Sequence, residues 1–321
     1  MIPSTKPYKK ALRHGLNDSE LSMQPNIKHI KINDNKQKIE SFLLDTLFLP
    51  RLKFLQWANI TKQSPSFKIG YPAQHLASLI TGVEGGRSAA RGDDLSDRSE
   101  IKGCNRVDQV DNCKNCKLKV LRLEASCSHC GSTRINRMED SKWLITIKSE
   151  AELDMTLNKI PRFIFIVFYY PHLSQSDFNT VKIEAFEVWP KYNENFRQLA
   201  TNYYHNLYLE HIKKNPKKTP APQNFWPFSF QFYLCMPIKI FDCEVDNVNS
   251  APKINIKNLV APTSNRNIED CEIMPTSKLT KDEIAHYGFS QKEFLSHADI
   301  SNIALRDTQI AVSHNGNYRR S

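Results

Sequence analysis

The sequence predicts a mixed α/β (α+β) fold, in which helices flank a β-sheet and a module with four cysteines is inserted. Residues 162–170 (RFIFIVFYY) form a near-continuous apolar run, as expected of a strand buried on both faces. Predicted strands and helices alternate around this run, and two CxxC pairs precede it. The 321 residues, 40% hydrophobic and 24% charged, suffice for a sizeable core, which excludes wholesale disorder and a small disulfide scaffold.

For the N-terminal part, the sequence predicts an arm, two helices and a hairpin. Residues 1–37 are polar and rich in Lys and Asn, which predicts a flexible basic arm. Apolar residues then recur at helical spacing over 37–59, with Pro50 as a break. Pro72 suits the first turn of a second helix, and Gly82 suits its end. A glycine-bearing loop at 84–92 and a short hairpin at 93–105 complete this part.

Strands and helices alternate in the prediction for the rest of the chain. They are a strand at 143–148, a helix at 150–159, strands at 162–170 and 180–189, a helix at 193–214, strand-rich residues 228–244, irregular residues 252–275 and two short helices at 279–297. We therefore divide the chain into three parts. These are the arm (1–37), a core (38–250) with an insertion at about 108–138, and a C-terminal helical and irregular region (251–321).

The balance of charge predicts a polyanionic partner. Lys and Arg exceed Asp and Glu by 44 − 34 = 10, and nucleic acid is the first partner that such a balance favours. A Lys-rich composition unrelated to function is the alternative. No apolar run approaches the roughly 18 residues of a membrane helix. Residues 1–21 lack the apolar stretch of a signal peptide, so we expect a cytoplasmic protein with no membrane partner.

Four cysteines have the spacing of a metal site. Cys113 and Cys116 form one CxxC pair, and Cys127 and Cys130 form a second after ten intervening residues. Four thiolates suit tetrahedral Zn²⁺ and leave no open position, so the zinc is expected to be structural; a redox dithiol is the alternative. Basic residues surround the pairs, which suggests a contact with DNA. They are Lys114, Lys117, Lys119, Arg122, Arg134 and Arg137.

A second motif has the composition of a hydrolytic metal site. Glu100 and Lys102 are two residues apart, so on a strand they point to the same face. An Asp that precedes them across a turn can meet them there. Two adjacent carboxylates favour Mg²⁺, and a neighbouring Lys can orient or deprotonate an attacking water, which suits phosphodiester hydrolysis. Ordinary surface charge is the alternative interpretation.

This order of motifs resembles the PD-(D/E)XK nuclease superfamily, and specifically type II restriction endonucleases. Residues 71–104 are similar in layout to the mismatch-repair nicking enzyme MutH, in which a Gln-bearing helix and a Gly/Ser-rich loop precede an Asp and an ELK. The double CxxC directly after the motif resembles the MamI-type restriction enzymes. The resemblance implies a restriction-endonuclease-like fold and a Mg²⁺-dependent, site-specific deoxyribonuclease. It also implies a homodimer, an interrupted palindrome of the GATNNNNATC type and a cognate DNA methyltransferase in a restriction-modification pair.

The resemblance also implies residue roles. Asp94 is the metal-binding Asp, Glu100 the second metal carboxylate and Lys102 the catalytic lysine. No Pro precedes the Asp, so the register is open: Asp93 keeps the seven-residue separation from Glu100 that MutH shows. Glu84 is a possible additional carboxylate. Gln74 is expected to orient the site, and Asp97 to occupy the turn.

Polar residues around the motif are candidates for DNA contacts, although solvated loop charges are the plainer interpretation of each. Arginines that suit phosphate contacts are Arg87, Arg91, Arg98 and Arg106, and amides able to read adenine are Asn105 and Gln109. His75 and His129 are interpreted as non-catalytic. Two alternative functions are a non-catalytic zinc-ribbon DNA-binding protein and a DNA-repair nuclease on the same core.

Overall fold

Seven α-helices and ten β-strands are seen in the described part of this computed structural model, residues 23–65, 68–87, 92–218, 220, 222–267 and 270–272. The helices are α1 (Asn35–Phe42), α2 (Leu49–Thr61), α3 (Gly70–Thr81), α4 (Glu150–Asp154), α5 (Glu194–Asn202), α6 (Leu209–Lys214) and α7 (Phe230–Leu234). π-helical turns at Leu43–Phe48 and Tyr203–Tyr208 join α1 to α2 and α5 to α6, and another at Met155–Lys159 extends α4. Short 3₁₀ turns lie at Ile27–His29, Leu173–Gln175 and Pro190–Tyr192.

The strands form one large sheet and two small ones. They are β1 (Glu100–Asn105), β2 (Asp111–Cys113), β3 (Lys119–Val120), β4 (Ile135–Asn136), β5 (Trp143–Ile145), β6 (Phe163–Tyr169), β7 (Val181–Val188), β8 (Gln223–Phe225), β9 (Ile238–Asp246) and β10 (Lys253–Leu259). The large sheet has the order β1-β6-β7-β9-β10, with β1 parallel to β6 and the other neighbours antiparallel. The predicted mixed sheet flanked by helices is therefore confirmed.

Hydrophobic cores cover both faces of the large sheet. Ile164, Ile166 and Phe168 of β6 point into one core with residues of α1 and α3. Phe163 and Phe165 point into the other core with residues of α4, α5 and α7. This alternation explains the continuous apolar run of β6, because a strand covered on both faces has no polar side.

Between β1 and β5 lies the three-stranded small sheet, of order β3-β2-β4. The segment 108–138, which contains this sheet and corresponds to the predicted insertion, is called the module below. Its centre is the buried Asp111, whose carboxylate lies 3.2 Å from Arg122 and 2.8 Å from Arg137. The same carboxylate accepts a hydrogen bond of 2.7 Å from the backbone N–H of Met138. Two arginines that the sequence suggests for DNA contacts are thus engaged inside the module.

Several predicted elements differ in the structure. The hairpin expected at 93–105 is a turn followed by the single strand β1, because Leu95 makes only an isolated bridge with Gly85. Residues 252–275 are not irregular throughout, since β10 completes the large sheet. The strand predicted at 143–148 is the shorter β5, which pairs with β8 outside the large sheet. The predicted C-terminal helices and residues 1–22 of the arm lie outside the described residues.

None of the helices in the described part of the chain has the length and apolar character that crossing a membrane requires.

Candidate active site

Glu100 and Lys102 lie together at the start of β1. Lys102 Nζ is 2.6 Å from Glu100 Oε1, because alternate residues of a strand share a face. The other oxygen, Glu100 Oε2, accepts a hydrogen bond of 2.6 Å from the backbone N–H of Gly92. Glu100 is only 4% exposed, and its carboxylate is therefore held by two donors in a largely dry position.

Asp94 lies in the turn before β1 and reaches the strand edge that β6 does not cover. Its Oδ2 accepts a hydrogen bond of 2.7 Å from the N–H of Ile101, and its Oδ1 accepts one of 2.6 Å from Gln74 Nε2 on α3. The carboxylate thus lies beside the residue that follows Glu100. Gln74, which the resemblance implies orients the site, is thus hydrogen-bonded to this carboxylate.

Among the described residues, two carboxylates and one lysine meet at this site, so their charges do not balance. Burial raises the pKa of Asp94 above its ordinary value, and the negative charge of Glu100 raises the pKa further. The hydrogen bond from Ile101, the charge of Lys102 and the hydrogen bond from Gln74 act in the opposite direction. Two close carboxylates, one of them with a raised pKa, next to one lysine are a donor set that a divalent cation fits.

The two alternative carboxylates are placed differently. Asp93 turns its backbone oxygen toward Gly86, where an added Cβ would lie 2.0 Å from that oxygen. Only glycine therefore permits this close approach, which the hydrogen bond from Gly86 N to Asp94 O (3.0 Å) maintains. Glu84 is exposed. Among the described residues, the contacts to Ile101 and Gln74 are made by Asp94 and not by Asp93 or Glu84.

A buried arginine that we did not single out in the sequence supports the turn between Asp94 and Glu100. The backbone oxygen of Arg162, just before β6, accepts a hydrogen bond of 3.1 Å from Glu100 N–H. The guanidinium donates to Ser99 Oγ at 2.9 Å and to Asp97 Oδ2 at 2.9 Å. Asp97 is therefore a turn residue, as expected, and also an ion-pair partner of a buried cation.

Glu187 of β7 neutralises the same arginine. Its Oε1 lies 2.6 Å from Arg162 Nη1, and its Oε2 accepts hydrogen bonds of 3.0 Å from both Trp189 Nε1 and Arg266 Nε. Glu187 is fully buried. The residues that precede Glu100 are thus fixed to the interior by a charged network that spans distant parts of the chain.

The candidate DNA contacts do not form one group. Arg87 and Arg98 are exposed, whereas Arg91 lies outside the described residues. Asn105 is 105 − 100 = 5 residues along β1 from Glu100, roughly 17 Å at the usual rise of a strand. Beside Asn105, Arg106 is 6% exposed and donates to Ser141 O at 3.1 Å, so its burial argues against the phosphate contact suggested from the sequence.

The remaining polar candidates have other partners or are exposed to solvent. Asn105 Oδ1 accepts a hydrogen bond of 2.9 Å from Val107 N–H, and Gln109 donates to Ser141 Oγ at 2.5 Å. His75 and His129 are both exposed.

The four CxxC cysteines come together in the module. Their sulfur atoms all lie within 4.8 Å of one another. Sγ atoms of Cys113 and Cys130 are 3.6 Å apart, as are those of Cys116 and Cys127. A disulfide would need about 2 Å, whereas four sulfurs bound tetrahedrally to one Zn²⁺ lie about 3.8 Å apart. The cluster therefore has the dimensions of a four-cysteine zinc site.

Comparisons with known proteins identify a family for this chain. The family model described as MamI restriction endonuclease matches residues 56–277. The type II restriction enzyme MamI of Microbacterium ammoniaphilum is 37% identical over 75 residues, which cover 22% of this chain and 24% of that enzyme. The chain thus aligns with about a quarter of this curated relative. No solved structure matches the chain. With the family model covering residues on both sides of the Asp94–Lys102 site, the chain belongs to the MamI restriction endonuclease family.

Proposed function

We propose that the protein is a Mg²⁺-dependent type II restriction endonuclease that hydrolyses phosphodiester bonds in double-stranded DNA at a specific site. The observation that carries this proposal is the convergence of Asp94, Glu100 and Lys102 at the start of β1 in a chain of this family. Two carboxylates and one amine in that arrangement are the groups that metal-assisted hydrolysis requires.

Each residue of the site has a distinct role in this proposal. Asp94 and Glu100 would hold the Mg²⁺, which when bound would supply charge stabilisation at the phosphate. Gln74 and the N–H of Ile101 orient Asp94, and the N–H of Gly92 orients Glu100. The amine of Lys102 orients the attacking water and stabilises negative charge beside Glu100.

A twofold assembly follows from the proposed activity. Cleavage of both strands of a palindrome needs two sites related by symmetry, so we propose a homodimer. The family resemblance further supports an interrupted palindrome of the GATNNNNATC type, a cognate methyltransferase that protects the host DNA, and action in the cytoplasm. We also propose structural Zn²⁺ at the four cysteines.

Digestion of phage DNA tests the activity directly. The protein with Mg²⁺ is expected to yield discrete fragments, and EDTA is expected to abolish them. Sequencing of the fragment ends gives the recognition site. A mobility shift without strand scission would instead support a non-catalytic zinc-ribbon DNA-binding protein. Cleavage without sequence preference would support a repair nuclease on the same core.

Replacement of Asp94 with asparagine distinguishes the role of this carboxylate in metal binding from its effect on the stability of the fold. We expect Asp94→Asn to abolish cleavage, because it removes a metal carboxylate. In EDTA at pH 8, its melting temperature is expected to equal or exceed that of the wild type, since the raised pKa means that ionised Asp94 destabilises the folded state. The difference in melting temperature between the variant and the wild type is expected to shrink as the pH falls through the pKa of Asp94. Thermal unfolding of both proteins at several pH values measures this difference. A variant that melts at a lower temperature than the wild type at pH 8 would contradict the prediction.

Metal analysis tests the proposed zinc. We expect one Zn²⁺ per chain in purified protein, and four thiols in the module that react with a thiol reagent only after strong chelation. Cys235 provides an internal control, because this thiol is fully buried outside the module and should stay unreactive in the folded protein. A zinc-free protein with freely reactive module thiols would refute the assignment.

A further inference from the structure

We propose that the exposed basic edge of the four-cysteine module binds the phosphate backbone of the DNA duplex, away from the bond that is cleaved. This basic edge is defined as Lys114, Lys117, Lys119 and Arg134. The inference rests on the proposed function, since it takes double-stranded DNA as the substrate. It adds a second surface that holds the duplex.

The charge of the module separates into a neutral interior and a positive exterior. Inside, Asp111 is shared by Arg122 and Arg137. Outside, all four side chains of the basic edge are exposed. Between residues 112 and 138 the one acidic residue is Glu124, and its Oε2 accepts a hydrogen bond of 2.7 Å from Leu121 N–H. The solvent-facing charge of the module is therefore predominantly positive.

Two residues of the basic edge, Lys114 and Arg134, are joined by a backbone hydrogen bond. Lys114 N–H donates to Arg134 O at 2.8 Å, which brings together the first CxxC turn and the residue just before β4. No ion pair of the Lys114, Lys119 or Arg134 side chains is found within the described part of the chain. Cations that are exposed, clustered and not neutralised by carboxylates are the usual contacts of a phosphate backbone.

The module is attached where it can reach a duplex bound at the active site. It follows β1 directly, so its first residues lie at the opposite end of β1 from Glu100, roughly 17 Å away. That length equals about five base pairs, or half a turn, of B-form DNA. Arg106 and Gln109 tie this connection to Ser141, so the module begins from a fixed point.

Salt-dependent binding by a matched pair of variants tests the proposal. The test variant is Lys114→Ala/Arg134→Ala, whose backbone hydrogen bond does not depend on either side chain. The control, Lys36→Ala/Lys253→Ala, removes two exposed cations at the opposite side of the sheet, where α1 packs against β10. The probe is a fluorescein-labelled duplex of about three helical turns in Ca²⁺, followed by anisotropy at several salt concentrations.

The test variant is expected to bind more weakly. Its slope of log affinity against log salt should be shallower by about 2 for each subunit on the duplex, near 0.9 per lost phosphate contact, and so by about 4 for the proposed dimer. The control should keep the slope of the wild type. Equal slopes for the two variants would overturn the inference, whether or not the wild type cleaves. Failure of the wild type to cleave in Mg²⁺ would refute the proposed function separately.

Discussion

Replacing Lys102 with alanine is expected to slow DNA cleavage by about 10²- to 10⁴-fold, the usual contribution of one proton-handling group. The reason is positional. Lys102 Nζ lies 2.6 Å from Glu100 Oε1, so the amine is next to the carboxylate that holds the metal in our proposal. Its loss removes the cation that orients water and offsets charge at the phosphate, but leaves Asp94 and Glu100 in place.

The readouts for Lys102→Ala must separate chemistry from binding. Single-turnover cleavage in Mg²⁺ measures the rate, and anisotropy in Ca²⁺ measures affinity, which should change far less than the rate. Lys182→Ala is a matched control, because Lys182 also pairs with a glutamate two residues away, Glu184, at 3.3 Å on β7. A Lys102→Ala enzyme within threefold of the wild-type rate, or a Lys182→Ala enzyme equally slow, would contradict the assigned role.

Replacing Arg162 with methionine is expected to lower the free energy of unfolding by about 3–5 kcal/mol, because it leaves buried charges without their partner. Glu187 keeps Trp189 and Arg266 as donors, whereas Asp97 loses the cation 2.9 Å away. The turn before Glu100 then loses its support. Cleavage at permissive temperature should therefore need more Mg²⁺ than the wild type needs.

Urea unfolding measures the stability of Arg162→Met, and a Mg²⁺ titration of cleavage measures its effect on the site. Arg134→Met is a suitable control for stability, because the arginine is exposed and such changes usually lie within about 0.5 kcal/mol. A loss of less than about 1 kcal/mol for Arg162→Met would contradict the inferred role of the network. So would a Mg²⁺ requirement that stays unchanged.

Elements with a strong local pattern could be predicted from the sequence. Nearly every residue of the run at 162–170 is apolar, and the run forms the buried strand β6. By contrast, β10 is an edge strand whose side chains are mostly exposed or half-buried. Its apolar residues alternate with Lys and Asn, and edge strands carry too little buried surface to mark them clearly.

In the candidate site too, contacts between residues close in the sequence could be predicted, and contacts between distant residues could not. The spacing of Glu100 and Lys102 alone places them on one face, and the structure brings them within 2.6 Å. The sequence leaves open whether Asp93 or Asp94 faces β1, because that depends on how the chain folds around Gly86. Nor does the sequence pair Arg162 with Glu187, since their contact requires the antiparallel register that sets Phe163 opposite Val188.

The two ends of the large sheet bear on how the protein avoids aggregation. At the β10 edge, two exposed lysines, Lys253 and Lys257, would place charge beside any strand that paired there. The register shift between Ile256 and Asn258 also makes the hydrogen-bonding pattern of β10 irregular. On the side of β1, a hydrogen-bonding position is already taken by Asp94, which accepts from Ile101 N–H. The carboxylate proposed to hold the metal therefore also occupies an edge at which another molecule's strand would otherwise add.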